Sequence, residues 1–444
     1  MILVVITAGL FAHLLVLLTA RRINPMFMFA AAFLVLAPLS TSLELPHAHL
    51  IKYPRIYCSV LMVAIGLFYP RAVGPGSASV SFLGFAIFYW AAGLWSDEML
   101  YALGYKGFFL AAAFAGVLMA RTVRDTNDFA VGVRCLGLAG VVFIVMMVTN
   151  FLINPAAISH VGRLAAFGIN PNTIGQTAAL MLIIGFSIAL YDRSLPWRWI
   201  GFGSLVVLFP LIVYTGSRAS AGMAAVGALV LLKPFVRRPG VLFSVFGMLA
   251  LVGWVLFSTL DQQIDTQRFS QLDTQTRESW WLDALDHFRS SPVIGTGWLY
   301  LTTPGGAPTT QSVLSAWLQI LVETGVLGVG ILLISTMVIA VRFIIAGRAA
   351  KRDRSLLYAS GVGSALLYAI VAHAFFESSM LIGSASNPLL FGFAVGLVDR
   401  LAKANLPAEE VPPTRGPSWS PASAALPSDP LGYPASAAPR DSQR

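Results

Sequence analysis

Residues 261–313, DQQIDTQRFSQLDTQTRESWWLDALDHFRSSPVIGTGWLYLTTPGGAPTTQSV, form the longest polar interval before the C-terminal tail of a chain that is otherwise mostly apolar. An apolar run ends at Leu260, and another opens at Trp317. The interval is too polar to lie in lipid, and its neighbours are apolar enough to span it. It therefore reads as one large loop held at a membrane surface by a helical scaffold.

Composition supports that reading. Hydrophobic residues make up 57% of the chain and charged residues 11%, whereas soluble domains carry about a quarter charged residues. Working outward from the loop, apolar runs occur at 2–20, 27–43, 57–69, 79–95, 107–120, 135–153, 174–191, 199–215, 220–236, 241–260, 316–345, 356–376 and 387–399. The expected fold is all-α and polytopic, with about 12–13 transmembrane helices and one large periplasmic loop. The first run has no basic leader or cleavage site and reads as a spanning helix. The short runs 57–69 and 387–399 are expected to be tilted, broken or re-entrant. Cys58 and Cys135 sit in or beside apolar runs and read as inert helix residues.

The flanking charges set the sidedness. Arg21-Arg22, Arg71, Arg121 with Arg124, Arg193 with Arg198, Lys233 with Arg237-Arg238, Arg348 with Lys351-Arg352, and Arg400 with Lys403 follow every second run. The positive-inside rule makes these loops cytoplasmic. The intervals 44–56, 96–106, 154–173, 216–219, 261–315 and 377–386 then face outward, as does the N-terminus, which in a bacterium places them at the periplasmic side of the inner membrane. Topology and anionic headgroups account for the net charge of +9, with no nucleic-acid partner implied. Residues 1–403 read as one membrane domain. Residues 404–444, rich in Pro, Ser and Ala, read as a disordered cytoplasmic tail.

The outward intervals carry the candidate chemistry. Arg163 precedes Asn170-Pro171-Asn172, a turn and N-cap signal whose donors also suit an anionic or sugar ligand. Arg218, in Gly216-Ser217-Arg218, stands alone at membrane depth on the arginine-poor side, which points either to a cavity or to snorkelling. In the large loop, Arg268 and Arg277 precede an amphipathic helix over Ser279–Phe288, with Trp281, Ala284, Leu285 and Phe288 on one face. Guanidinium groups there would meet a lipid diphosphate with bidentate donors; ordinary ion pairs among Arg277, Asp273 and Asp283 are the other reading. His373 and Glu377 lie together near an outward helix end. No metal-ligand spacing or phosphate-binding glycine loop is present, and no cofactor is implied.

The succession Arg268, Arg277, a tryptophan-bearing helix, Ser291-Pro292-Val293-Ile294-Gly295-Thr296-Gly297-Trp298, and Leu318-Gln-x-Leu-x-Glu-x-Gly resembles the O-antigen ligase and polymerase family of bacterial membrane glycosyltransferases. Gly216-Ser217-Arg218, Asn170-Pro171-Asn172 and, more weakly, Leu94-Trp95-Ser96 extend the resemblance over roughly residues 80–400. It implies transfer of a glycan, with inversion, from a polyprenyl diphosphate carrier to a glycan or lipid acceptor beside other polysaccharide assembly proteins. Arg218, Arg268 and Arg277 would hold the diphosphate, with Arg163 supporting them. One departure concerns the His-Asn pair that usually precedes the glutamate block, because Leu314-Ser315 stands there. The family's histidine is taken as the base, so here either Glu323, His287, His373 or His160 serves, or transfer rests on positioning and on arginines stabilising the leaving diphosphate, or the transfer activity is lost. A lipid-linked oligosaccharide transporter or a non-catalytic assembly scaffold are the alternatives from other classes.

Overall fold

The computed structural model describes residues 24–42, 48–69, 74–153, 163–235, 240, 247, 275–298, 301–302, 308–309, 315–353, 356–378, 381 and 386–403. Of 48–50, 52, 275–280, 301–302 and 308–309 it describes only the backbone. The runs 2–20 and, apart from residue 247, 241–260, together with His160, Arg268, Leu314 and the tail 404–444, lie outside the described residues. Everything below concerns one compact unit.

The described residues form a polytopic helical bundle. In chain order its helices are α1 Pro25–Leu39, α2 Ala48–Phe68, α3 Ser77–Ala91, α4 Met99–Thr122, α5 Thr126–Ile153, α6 Pro171–Tyr191, α7 Leu195–Thr215, α8 Arg218–Leu232, α9 Gln275–Ser290, α10 Ala316–Arg352, α11 Leu357–Ala374 and α12 Asn387–Ala402. Eight are long and apolar enough to cross a membrane. A two-residue antiparallel pair, Leu301–Thr302 with Pro308–Thr309, is the sole strand pairing among the described residues. The short run 57–69 belongs to an unbroken 21-residue helix, because its polar first turns continue the helix beyond the apolar window.

Local sequence sets the boundaries. Asn24 and Asn170 each accept a hydrogen bond from the backbone two residues on, and each is followed by proline at the first helical position, which fits both ends of that motif. Gly216, at φ 59°, closes α7, and the Ser217 side chain caps α8 by accepting from Ser220 N–H. The αL turn demands glycine because a Cβ would be strained there.

Helix α6 is the central one, with 89% of its most apolar window buried, against 22% for α10. The face of α10 that carries Leu333, Ile334, Met337 and Val341 is exposed and suits lipid contact. Helices α4 and α12 pack backbone to backbone: a Cβ at Gly116 would strike the Leu389 carbonyl, and one at Gly392 the Ala113 carbonyl. Small residues at such crossings gain dispersion contacts where the solvent is as apolar as the side chains.

The two ends of the bundle differ in chemistry. At one end Arg134 forms a fork with Asp192 at 2.8 and 2.7 Å, and the Asp399 carboxylate accepts from the first-turn amides of α3 at Ala78 and Ser79. There too Arg342 donates to Ser77 Oγ at 2.6 Å, and Arg400 to the Arg121 carbonyl at 2.9 Å. This end gathers the basic helix termini that the charge pattern assigns to one side. The opposite end gathers the loops carrying the candidate site.

Candidate functional site

Helix α10 is broken at Gly325, whose backbone sits at φ 64°, ψ −168°. An unbroken helix would bond the amides of 326 and 327 to the carbonyls of 322 and 323. Here those four groups are taken by the turn 291–298. Val326 N–H donates to the Pro292 carbonyl at 2.9 Å and Leu327 N–H to that of Val293 at 3.1 Å. In return Thr296 N–H donates to the Val322 carbonyl at 2.9 Å and Gly297 N–H to that of Glu323 at 3.0 Å. The turn is therefore spliced into the helical ladder, and no backbone group at the break loses a partner. Close approach needs glycines at Gly295, Gly297 and Gly325, all at positive φ; a Cβ at Gly297 would stand 2.6 Å from the Ala92 carbonyl oxygen.

A buried charge cluster underlies the splice. Lys106 Nζ of α4 lies 2.9 Å from Glu323 Oε2, donates to the Gly297 carbonyl at 2.6 Å and stands 4.2 Å over the Tyr89 ring. Tyr89 OH donates to Glu323 Oε2 at 2.8 Å, and Gln319 Nε2 donates to Oε1 at 2.8 Å. Nearby, the Trp298 indole sits edge-on to Tyr105 and Tyr101, and Trp95 Nε1 donates to the Ile294 carbonyl at 3.2 Å.

A second polar cluster forms where α6, α7, α8 and α11 meet. Arg163 spreads its guanidinium between the Thr215 carbonyl, 2.7 Å from Nε, and Asn172 Oδ1, 2.6 Å from NH2. Asn172 Nδ2 in turn donates to Glu377 Oε1 at 3.0 Å. Arg163 thereby grips the turn Thr215-Gly216-Ser217, and Arg218 follows in the first turn of α8. The amino end of a helix carries partial positive charge, so Arg218 adds to a field already favourable to an anion. Gly175 brings α6 close beneath, where a Cβ would lie 2.7 Å from Thr215 Oγ1 and 3.0 Å from Ser220 Oγ. The two clusters occupy the same end of the bundle, linked by Trp317 of α10 and Phe375 beyond α11, whose rings are 5.4 Å apart.

The large loop supplies the third part. Helix α9 opens at Gln275 and includes Arg277. Ala284 is buried against Val322, with Phe288 and Leu318 packed beside them. An open apolar cavity of about 370 Å³ runs between α9, α10 and α11, lined by Trp281, Ser315, Trp317, Leu318, Leu321 and Phe375 among others.

Residues 203–333 match the family model described as O-Antigen ligase. Over this segment the chain is similar to that family. The match covers under a third of the 444-residue chain, running from α7 through the break in α10. No curated protein matches the chain. The similarity over this segment supports a role in polysaccharide assembly by a multi-pass membrane protein.

Within the matched segment lie Arg218, Arg268, Arg277, His287 and Glu323 of the sequence-predicted residues; Arg163, Asn170, Asn172 and His373 lie outside it. The structure brings Arg163, Asn172 and the Arg218 turn together and adds Glu377. The Asn170 carboxamide oxygen is committed to capping α6, accepting from Asn172 N–H at 2.9 Å. Glu323 is completely buried, with both oxygens engaged by Lys106, Tyr89 and Gln319. That placement suits an anchor for the turn. His287 is half-exposed on α9 with Nε2 4.0 Å from Asp283 Oδ1. His373 is buried in α11, and its carbonyl accepts from Glu377 N–H at 3.0 Å.

Sequence reasoning missed Lys106, Tyr89, Gln319 and Arg55. The available signal was a lone lysine or arginine flanked by apolar residues. Arg55, buried in α2, donates to the Ser40 hydroxyl. The short runs of charge had been assigned to loops instead.

Proposed function

We propose that the protein transfers a glycan from a polyprenyl diphosphate carrier to a growing polysaccharide or lipid acceptor at the periplasmic face of the bacterial inner membrane. The single observation that carries this reading is the junction of Arg163, Asn172, Glu377 and the Arg218-bearing start of α8 at one end of a membrane bundle, beside an O-antigen ligase domain. Arginines at headgroup depth, a helix amino end and an adjoining apolar cavity match a ligand that is a diphosphate at one end and a hydrocarbon at the other.

In the reaction proposed, the acceptor hydroxyl oxygen attacks the anomeric carbon while the bond from that carbon to the diphosphate oxygen breaks. The electron pair leaves with the diphosphate, and the hydroxyl proton passes to a base. Attack opposite the leaving group inverts the anomeric centre. Arg218 and Arg277, with Arg268, stabilise the charge that develops on the diphosphate, which is the largest contribution such a site makes. Arg163 orients the Thr215-Gly216-Ser217 turn. Glu377 is assigned as the base because it is the carboxylate standing in this cluster, with His373 one turn before it; His287 is the alternative from the loop side. The cavity between α9, α10 and α11 receives the first isoprene units. Glu323 is assigned to positioning.

The test uses purified full-length protein in nanodiscs with a synthetic polyprenyl diphosphate oligosaccharide and an acceptor glycan. A new glycosidic bond, formed without any ion gradient, is the expected product. Movement of intact donor across the bilayer with no new bond would overturn the transferase in favour of a transporter, and neither outcome in favour of a scaffold.

A further inference from the structure

The splice between the 291–298 turn and α10 fixes more than the turn. Ser291 N–H bonds the Phe288 carbonyl at 3.1 Å, so the carboxyl end of α9 continues directly into the spliced segment. Arg277 sits near the other end of α9, thirteen residues from Ser290. At 1.5 Å per residue that is a lever of about 20 Å, and a 10° tilt at its base moves the far end by roughly 3 Å. Misplacement by even about 1 Å at a reacting centre costs on the order of a hundredfold in rate. Whatever holds the base of α9 therefore governs where the Arg277 end stands.

The group best placed to do so is the Lys106 ammonium. It comes from α4, which lies outside both the large loop and the O-antigen ligase match. Reaching in from outside the splice, it touches both sides of it, the Gly297 carbonyl at 2.6 Å and the Glu323 carboxylate at 2.9 Å. Lys106 is wholly buried, and solvent neither screens these contacts nor replaces them when they are removed. We propose that Lys106 is a positioning residue that latches the 291–298 turn into the break of α10 and thereby sets the stance of α9 against α10. This rests on the transferase reading for its consequence in turnover, and on geometry alone for its consequence in structure.

The experiment places spin labels at cysteines replacing Leu282 of α9 and Phe376 beyond α11, both exposed in the structure, whereas the native Cys58 and Cys135 are buried. Distance distributions are read by pulsed electron resonance on full-length protein in nanodiscs, with turnover measured in parallel on the lipid-linked donor. Combining Lys106→Met with Glu323→Gln removes both buried charges, so no uncompensated ion opposes folding. This double variant is expected to broaden or shift the distribution by several ångströms and lower turnover at least tenfold. In Glu323→Gln alone the lysine amine still donates to the Gly297 carbonyl. Its distribution is expected to stay narrow, with turnover reduced less than tenfold.

A narrow, unshifted distribution in the double variant would overturn the latch. So would a loss of more than a hundredfold in Glu323→Gln with the distribution unchanged, because the carboxylate would then act in chemistry and not in placement. The distance measurement needs no substrate. If the unaltered protein made no product, the transferase reading would fail while the distances still decided the latch.

Discussion

Replacing Arg163 with lysine separates guanidinium geometry from charge. In the structure Nε donates to the Thr215 carbonyl at 2.7 Å and NH2 to Asn172 Oδ1 at 2.6 Å. A single ammonium on a different stem cannot occupy both positions, so at least one bond is lost. Thr215 is fully buried with the arginine in place. A hydrogen bond from a charged donor contributes about 1.5–3 kcal/mol, and the turn it stabilises carries Arg218. If that energy is felt in the transition state, turnover falls roughly 10- to 150-fold. The assay is product formation from a lipid-linked donor by purified protein, with insertion checked by monodispersity in detergent. A double-mutant cycle of Arg163→Lys with Asn172→Ala should show a coupling of about 0.5–3 kcal/mol. Arg163→Lys protein that turns over within threefold of the original would show that the fork does not place the catalytic turn.

Arg218→Lys and Arg277→Lys keep charge but remove the planar fork, and each is expected to abolish nearly all product while the protein still inserts; normal product would return both arginines to surface duty. Glu377→Gln should lower turnover by about a hundred- to ten-thousand-fold, the range for a lost general base, and His287→Ala by less than threefold; the reverse pattern would move the base to α9. Gly325→Ala forces a side chain into a positive-φ backbone and against Val293, so the thermal midpoint should drop by more than the roughly 1–3 kcal/mol of strain alone would cause. A cysteine replacing Val293, which is 60% exposed, should react with an impermeant thiol reagent in intact spheroplasts, and one replacing Lys351 should not; labelling of the second would reverse the sidedness.

Hydropathy made most of the bundle legible, and where it failed it failed at buried charges. Apolar runs beginning at 57, 107 and 135 correspond to helices that begin at Ala48, Met99 and Thr126. The missing turns hold Arg55, Lys106 and Arg134. A hydropathy window treats each as exposed charge, whereas the fold gives each a partner: the Ser40 hydroxyl, the Glu323 carboxylate and the Asp192 carboxylate. An ionisable group with a partner is affordable at membrane depth, and its partner lies far away in sequence. Capping was more legible because it is local. Asn170-Pro171-Asn172 read as an N-cap turn, and it caps α6 in that way.

The break in α10 shows why the candidate site was only half readable. Its glutamate and glycine stand in a recognisable pattern, and a carboxylate at a helix start invites a catalytic reading. What that pattern encodes in the structure is a docking register: Gly325 frees two amides, Gly295 and Gly297 let a distant turn approach them, and Glu323 fixes Lys106 beneath the join. None of these functions is visible until residues 291–298 and 322–327 are brought side by side. The arginines behave differently: Arg163 stands out in the sequence beside Asn170-Pro171-Asn172, and the fold supplies its partners, Thr215 and Asn172. Motif residues at this end of the protein therefore divide by burial. On the proposed reading, substitutions at the buried Glu323 should change distances, and those at Arg218 and Arg277 should change chemistry.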